Sequence, residues 1–345
     1  MRRLCLAAVL ENGNRGQDTL MTRRLAAALL IGLAFGGVVA GQARAQSYPD
    51  RLIKLVVGYP PGGPIDVTAR ILVQRLSAIL GRTIIVENRA GATGSVAAKA
   101  VAVADPDGYT LMLGNASSLA VMPAIARYRD YDTLKSFAPI AKLTEGYEVL
   151  VVDPNGPART VEGLVAYARA NPGKLNFGSA GFGNLTHLSG ELLKLKTGID
   201  IVHVPYKGAP EAVAGMLSGQ VHMLFGEVAG LLPLVRDGKV RALGVASETR
   251  NALAPELPTL IEGGLPDFVA LTFTGVMAPA GTPPAIVARL NAAINEALAA
   301  PEVRTALERV GAEIRTGSPA DFAAFLAKEA RKWDEVVRLA GIKME

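Results

Sequence analysis

Cysteine, histidine and aromatic side chains are scarce in this chain of 345 residues, and neither sign of charge dominates it. The one cysteine, Cys5, leaves no disulfide framework to build a fold on. The three histidines, His187, His203 and His222, show no H-E-x-x-H or other metal-ligand spacing, and no thiol is near to join them. No G-x-S-x-G elbow occurs, so a serine hydrolase has little support. No Gly-Lys-Ser or Gly-Lys-Thr follows a glycine-rich loop, which excludes a P-loop. Beyond residue 45 no apolar run approaches the roughly 20 residues that a membrane helix needs.

The formal charge of +5 is also less than it looks. Residues 1–45 hold six arginines and two acids, Glu11 and Asp18, which leaves 30 basic and 29 acidic residues in the remainder. A net +1 gives no electrostatic case for nucleic acid as a partner. The same segment reads as a leader. Met21-Thr22-Arg23-Arg24 is a short basic start, residues 25–40 are apolar, and Ala43-Arg44-Ala45 ends in small residues. That is the layout of a cleavable secretory signal peptide, against which a membrane anchor is the competing reading. Residues 1–20 fit neither part and read as an upstream extension. The expected compartment is therefore the periplasm.

Past the leader, strand-like and helix-like segments alternate, as in an α/β fold with mostly parallel strands. Strands are expected at residues 52–57, 83–87, 109–113, 148–152, 175–177, 201–204, 223–225 and 242–245. Helices are expected at 67–80, 95–104, 161–170, 185–195, 286–298 and 319–340. Residues 137–146 and 272–278 are placed to cross between two lobes, which puts residues 46–145 with 272–345 in lobe 1 and 146–271 in lobe 2. A cleft between lobes is a usual place for a small ligand.

Two glycine-rich turns stand out, Pro60-Pro61-Gly62-Gly63-Pro64-Ile65-Asp66 and Gly178-Ser179-Ala180-Gly181-Phe182-Gly183-Asn184. Each leads into a helix-like segment. Helix N-termini offer unpaired N–H groups and partial positive charge, so two of them across one cleft would clamp an anion without Lys or Arg. Pro64 suits the first helical position and Asp66 the first turn. Ordinary capping explains both turns equally well. Ser179, Asn184 and Thr186 either bind a carboxylate or cap the second helix. Gly181-Phe182-Gly183-Asn184-Leu185-Thr186 departs from G-x-G-x-x-G at its last position and lies mid-chain, which argues against a dinucleotide site. His187, in the first turn of that helix, reads first as a structural hydrogen-bond partner. Asn115 and Ser117 follow a strand, where parallel sheets border their ligand crevice. Glu227 follows another strand and is a candidate to face the cleft.

Several motifs in order carry a family resemblance. They are Tyr48-Pro49, Val56-Val57-Gly58-Tyr59-Pro60-Pro61-Gly62-Gly63 with Asp66 and Arg70, and Val86-Glu87-Asn88-Arg89-Ala90-Gly91. Then come Asp105-Pro106-Asp107-Gly108-Tyr109-Thr110-Leu111, Asn171-Pro172-Gly173-Lys174-Leu175 and His203-Val204-Pro205-Tyr206-Lys207-Gly208. Leu257-Pro258-Thr259-Leu260 and Ala278-Pro279-Ala280-Gly281-Thr282-Pro283 complete the set. Together they resemble the tripartite tricarboxylate transporter receptors, the Bug-type extracytoplasmic solute-binding proteins. The resemblance implies a two-lobed periplasmic binding-protein fold that closes on a small carboxylate, with no catalytic step, cofactor or metal. It implies that the ligand is held by two loops, matching 59–66 and 179–187 here. The candidate ligand-binding residues are thus Tyr59, Pro61, Gly62, Gly63, Ile65, Asp66, Asn115, Ser117, Ser179, Ala180, Gly183, Asn184, Thr186, His187 and Glu227. The implied partner is a membrane permease or, where the receptor stands apart from a transporter, a sensor protein. An exported α/β enzyme acting on an acid is the rival class. Ile65 stands where the family often has a small or hydroxyl residue, and Phe182 where it varies.

Overall fold

The structure is a computed structural model that describes residues 48–125 and 131–343. The leader's basic start, apolar run and cleavage site lie outside the described residues. Residues 51–345 form one compact unit, and of the preceding unit, 1–50, only Tyr48, Pro49 and Asp50 are described.

The chain opens with β1 (Ile53–Val57), α1 (Pro64–Leu80) and β2 (Ile84–Asn88). A short 3-10 turn, Ala92–Gly94, leads to α2 (Ser95–Ala102) and β3 (Thr110–Asn115), after which a π-turn, Ser117–Val121, runs into α3 (Met122–Ile125). β4 (Phe137–Val152) is followed by α4 (Val161–Ala170), β5 (Leu175–Ser179), α5 (Leu185–Thr197), β6 (Ile201–Pro205) and α6 (Ala209–Leu217). Next come β7 (Met223–Glu227), α7 (Val228–Arg236), β8 (Arg241–Val245) and β9 (Leu271–Pro279). The C-terminal part holds α8 (Pro284–Ala299), α9 (Pro301–Arg309), β10 (Glu313–Ile314) and α10 (Pro319–Ala340).

Local chemistry accounts for the helices that frame the site. In α1 Pro64 opens the helix, Ala69, Leu72, Leu76 and Leu80 form the buried stripe, and Gly81 ends it in the left-handed conformation at φ 65°. In α10 a reciprocal capping box joins Ser318 and Asp321, and Phe322, Leu326, Trp333, Val336 and Val337 face inward. This long helix packs on β4, α5 and the π-turn, so one buried cluster runs from Val56 and Met112 through Trp333 to Phe177 and Leu188.

Ten strands form a single sheet in the order β2-β1-β3-β9-β4-β7-β5-β6, with β8 and β10 also on β4. β4 is long enough to serve both halves. Residues 137–147 pair with β9, and Glu148–Val152 pair with β7 and β8. The expectation of mostly parallel strands holds only for the outer groups, β1 with β2 and β3, and β5 with β6 and β7. The two segments expected to cross between lobes are themselves strands. The chain leaves along β4 and returns along β9, so these two run antiparallel, as do all their other pairings. The strand expected at 148–152 is the second half of β4, and α6, α7 and α9 are helices beyond those expected from the sequence pattern.

Candidate functional site

The first glycine-rich loop is built around a buried carboxylate. Asp66, 1% exposed, accepts hydrogen bonds from Gly62 N–H and Asn88 Nδ2 at 2.8 Å each, and from Arg70 Nε at 2.8 Å and Nη2 at 3.0 Å. The Arg70 bonds, against the cost of burial, hold its pKa down at about 2. Asp66 therefore locks the loop, Arg70 is tied to it, and the Gly62 N–H that was expected to face a ligand is spent inside the loop. The root of the loop is fixed by glycine. A Cβ on Gly58 would lie 2.6 Å from Gly94 Cα, and Gly94 in turn lies against Tyr59 and Ser118.

The start of α1 is open. Gly63 occupies the N-cap position with φ −72° and ψ 164°, the backbone of a capping residue, but it has no side chain to cap with. Pro64 has no N–H. The N–H groups of Ile65 and Asp66 have no acceptor among the described residues. Pro61 and Gly62 are exposed at the loop tip.

Beside this loop, at the same edge of the sheet, lie Asn115 and Ser117. The Tyr59 hydroxyl is 3.0 Å from Asn115 Oδ1 and 3.2 Å from Thr93 O. Burial pushes its pKa up to about 12, so it stays a neutral donor. Asn115 Oδ1 also accepts from Ser118 N–H at 3.1 Å, while its Nδ2 group has no acceptor among the described residues. Ser117 Oγ accepts from Leu185 N–H at 3.4 Å, which joins this edge to the start of α5.

The second loop differs from the expected clamp. Three of its donors are taken up internally: Ala180 N–H by Thr186 Oγ1 at 2.9 Å, Gly181 N–H by Ser179 Oγ at 3.2 Å and Gly183 N–H by His187 Nδ1 at 3.3 Å, while Phe182 N–H and Asn184 Nδ2 have no acceptor among the described residues. Asn184 caps α5 through its side chain, which accepts from Thr186 N–H at 3.1 Å. The physical reason is plain in the two N-cap residues. Asn184 carries an acceptor and Gly63 does not, so one helix terminus is closed and the other open.

Behind the second loop stands a stack of rings that sequence spacing did not reveal. Phe177, His203, His187 and Phe182 lie in order with centroid separations of 4.9, 3.9 and 5.0 Å. The first two are neighbours in parallel register on β5 and β6, and the others come from α5 and the loop. Burial lowers the His187 pKa to about 3 and that of His203 to about 4, with further lowering from His203 and Lys194 respectively. Both imidazoles are neutral near pH 7. Ser179 Oγ lies 2.6 Å from His203 Nε2.

Glu227 ends β7 opposite Glu148 and borders a small cavity with Tyr147, Asn251 and Glu313; β7 runs parallel to β5, so this strand end lies at the same edge of the sheet as Ser179. A larger cavity of about 420 Å³, lined by Arg51, Lys54, Asp105, Asp107 and Tyr109 among others, lies at the other end of β1 and β3 from the first loop. Among the described residues no group of three or more His, Cys, Asp or Glu side chains is arranged to hold a metal, and no helix is long and apolar enough to cross a membrane.

Residues 68–342 match the family described as the tripartite tricarboxylate transporter family receptor. The chain is 37% identical over 327 residues to the protein BugT of Bordetella pertussis, covering 93% of this chain and 99% of that one. Among solved structures it resembles MatC of Rhodopseudomonas palustris with bound malate, at 35% identity and TM-score 0.74 over 84% of this chain and 100% of the other. It also resembles R. palustris Rpa4515 with adipate, at 34% identity and TM-score 0.76 over 86% and 99%. The structural relatives are two-lobed periplasmic binding proteins. With this α/β architecture and these matches across most of its length, the chain belongs to the tripartite tricarboxylate transporter receptor family.

Proposed function

We propose that the exported chain is a periplasmic receptor that captures a small carboxylate by closing two lobes around it. The observation that carries this reading is the uncapped start of α1, where the Ile65 and Asp66 N–H groups have no acceptor among the described residues. A carboxylate there takes the place of the missing cap and meets the positive end of the helix. Malate and adipate in the two relatives are of the class such a site accepts. Lobe 1 is drawn as residues 46–145 with 272–345 and lobe 2 as 146–271, with β4 and β9 as the two connections. The change of partners along β4 between residues 147 and 148 supports that division. Signal-peptide cleavage before Gln46 would deliver the chain to its compartment.

The receptor then hands its ligand to a membrane permease. The competing outcome is a sensor that binds the same acids, and unchanged uptake of the ligand in a deletion strain would favour the sensor. The pair Ser179–His203 is the feature an enzyme would use, but a histidine held near pKa 4 is a weak base at neutral pH. Turnover of a bound acid by the purified protein would revive the enzyme reading. The direct test is thermal-shift screening with malate, adipate, benzoate and amino acids. A ligand at 100 times its Kd adds about 2.7 kcal/mol to stability. If no acid raises the melting temperature, the receptor reading fails.

A further inference from the structure

The lobes drawn above meet closely at the ends of two strands. β7 and β10 lie end to end along one edge of β4. β7 pairs with Glu148–Val152 and β10 with Thr144 and Glu145, while β9, Ala270 and β8 hold the other edge. Gly146 and Tyr147 are left between them. β10 falls in lobe 1 and β7 in lobe 2. β7 runs parallel to β5, so the end that meets β10 lies at the sheet edge that carries Ser179 and the second loop.

In the turn before β10, Gly311 comes up against Ala229 in the first turn of α7. A Cβ on Gly311 would overlap the Ala229 methyl, and beyond its own chain neighbours only the Ala229 Cα, at 3.4 Å, would also lie within 4 Å of it among the described residues. Backbone faces a methyl group here, and neither has a rotamer with which to give way. Where Met122 Sδ lies 3.1 Å from a Cβ placed on Gly183, by contrast, a flexible side chain can shift. A hydrogen-bond chain marks the same meeting. Asn251, 4% exposed, donates from Nδ2 to Glu313 Oε1 at 3.0 Å. Glu313 Oε2 accepts from Arg315 Nη2 at 2.9 Å, and Arg315 Nε donates to Glu145 Oε2 on β4 at 2.7 Å. Lobe 2 is thus tied through β10 to the connecting strand, at the separation that Gly311 permits.

Resting on the receptor reading above, we infer that Gly311 and Ala229 are positioning residues that set how closely the two lobes approach. They act through the loops 59–66 and 179–187, whose separation they fix, and not on the carboxylate itself. A methyl group added at this contact holds the lobes apart. The arrangement that grips the acid then becomes a smaller fraction of the protein, and the apparent affinity falls with that fraction. Gly311 has the left-handed backbone, φ 79°, so any other residue there is also strained. That strain is common to the open, closed and bound forms and leaves affinity unchanged, which separates it from the overlap.

The test is calorimetric titration of protein recovered from the periplasm after expression of the full chain, using whichever of malate, adipate and benzoate gives the largest thermal shift. Three variants are compared with wild type: Gly311→Ala, Ala229→Gly and the two combined. Gly311→Ala should bind about fivefold or more weakly. The combined variant removes the methyl that the new Cβ meets and leaves the 3.4 Å approach to Cα, an ordinary contact, so it should recover to within about twofold of wild type. Ala229→Gly alone should stay within the same range. A thermal melt confirms that each variant is folded. Should Gly311→Ala not fold, Ala229→Val enlarges the same contact from the helix side without a left-handed residue and should weaken binding likewise. Wild-type affinity in the enlarged variant would overturn this inference and leave the receptor reading standing. So would an equal loss in Gly311→Ala and the combined variant, which strain in the turn alone would produce. If none of the three acids binds, the receptor reading falls and this inference falls with it.

Discussion

Gly63→Asp should strengthen the fold slightly and abolish carboxylate binding, two effects of opposite sign from one side chain. Gly63 already has the extended backbone of an N-cap, at φ −72° and ψ 164°. An aspartate there supplies the missing acceptor for the N–H groups of Ile65 and Asp66. Relative to glycine the cap itself adds a few tenths of a kcal/mol. A negative charge at the helix start adds about 0.3–1 kcal/mol. Against this, the new Cβ lies 3.3 Å from Pro60 O, a tight contact, and the new charge approaches Asp66, whose own charge Arg70 offsets. The net change in stability is expected between zero and about +1 kcal/mol. The ligand loses two charge-assisted hydrogen bonds, each worth about 1.5–3 kcal/mol, so affinity should drop by at least about 100-fold. Titration calorimetry with the tightest acid from the screen measures the affinity, and urea unfolding measures the stability. Gly63→Ala is the control, because it adds the same Cβ without an acceptor and leaves the N–H groups open. Binding by Gly63→Asp within threefold of wild type would refute the role given to α1, as would an equal loss in Gly63→Ala.

Three further predictions concern two buried carboxylates. Asp66→Ala strands Gly62 N–H, the Asn88 amide and Arg70, and should cost about 2–4 kcal/mol in urea unfolding. The folded pKa of Asp66, about 2, lies below its ordinary 3.8, so its contribution is complete above pH 3.8 and is lost as pH falls from there toward 2; Asp66→Asn should remove that acid slope. Glu148, 2% exposed on β4, is shifted the other way: burial and the facing Glu227 raise its pKa to about 8, while a hydrogen bond from Ser189 works against the rise. Its native form keeps the proton that the unfolded chain loses above about 4.5, so it draws stability down as pH rises from 4.5 to 8. Glu148→Gln should melt higher than wild type at pH 8 and close to it at pH 5, and equal shifts at both would count against a buried protonated acid.

Much of the fold was legible locally. Residues 161–170 match α4 because the sequence carries Thr160 as its cap and an apolar stripe, and Pro319 with Ser318 announces α10. The glycine-rich turns could be located from Pro, Gly and Asn alone. Their different states could not. Whether Asn184 binds a ligand or caps α5 depends on where its side chain turns, and it caps. Asp66 was readable as a first-turn acid, but the bond it accepts from Asn88 on β2 is a contact between separate elements that local spacing does not show. Glu227 is a cleft candidate by its position after a strand, and only the sheet shows that it pairs with Glu148.

The sequence by itself determined the alternation of strands and helices, the two loops and the family, since each rests on short-range spacing or on motifs in fixed order. Only the tertiary structure decided that one helix terminus is open and the other closed. It alone also assembled Phe177, Phe182, His187 and His203 into one column. Those outcomes depend on contacts between separate elements, such as the register of β5 on β6, and no local pattern encodes a register between strands that are far apart in the chain.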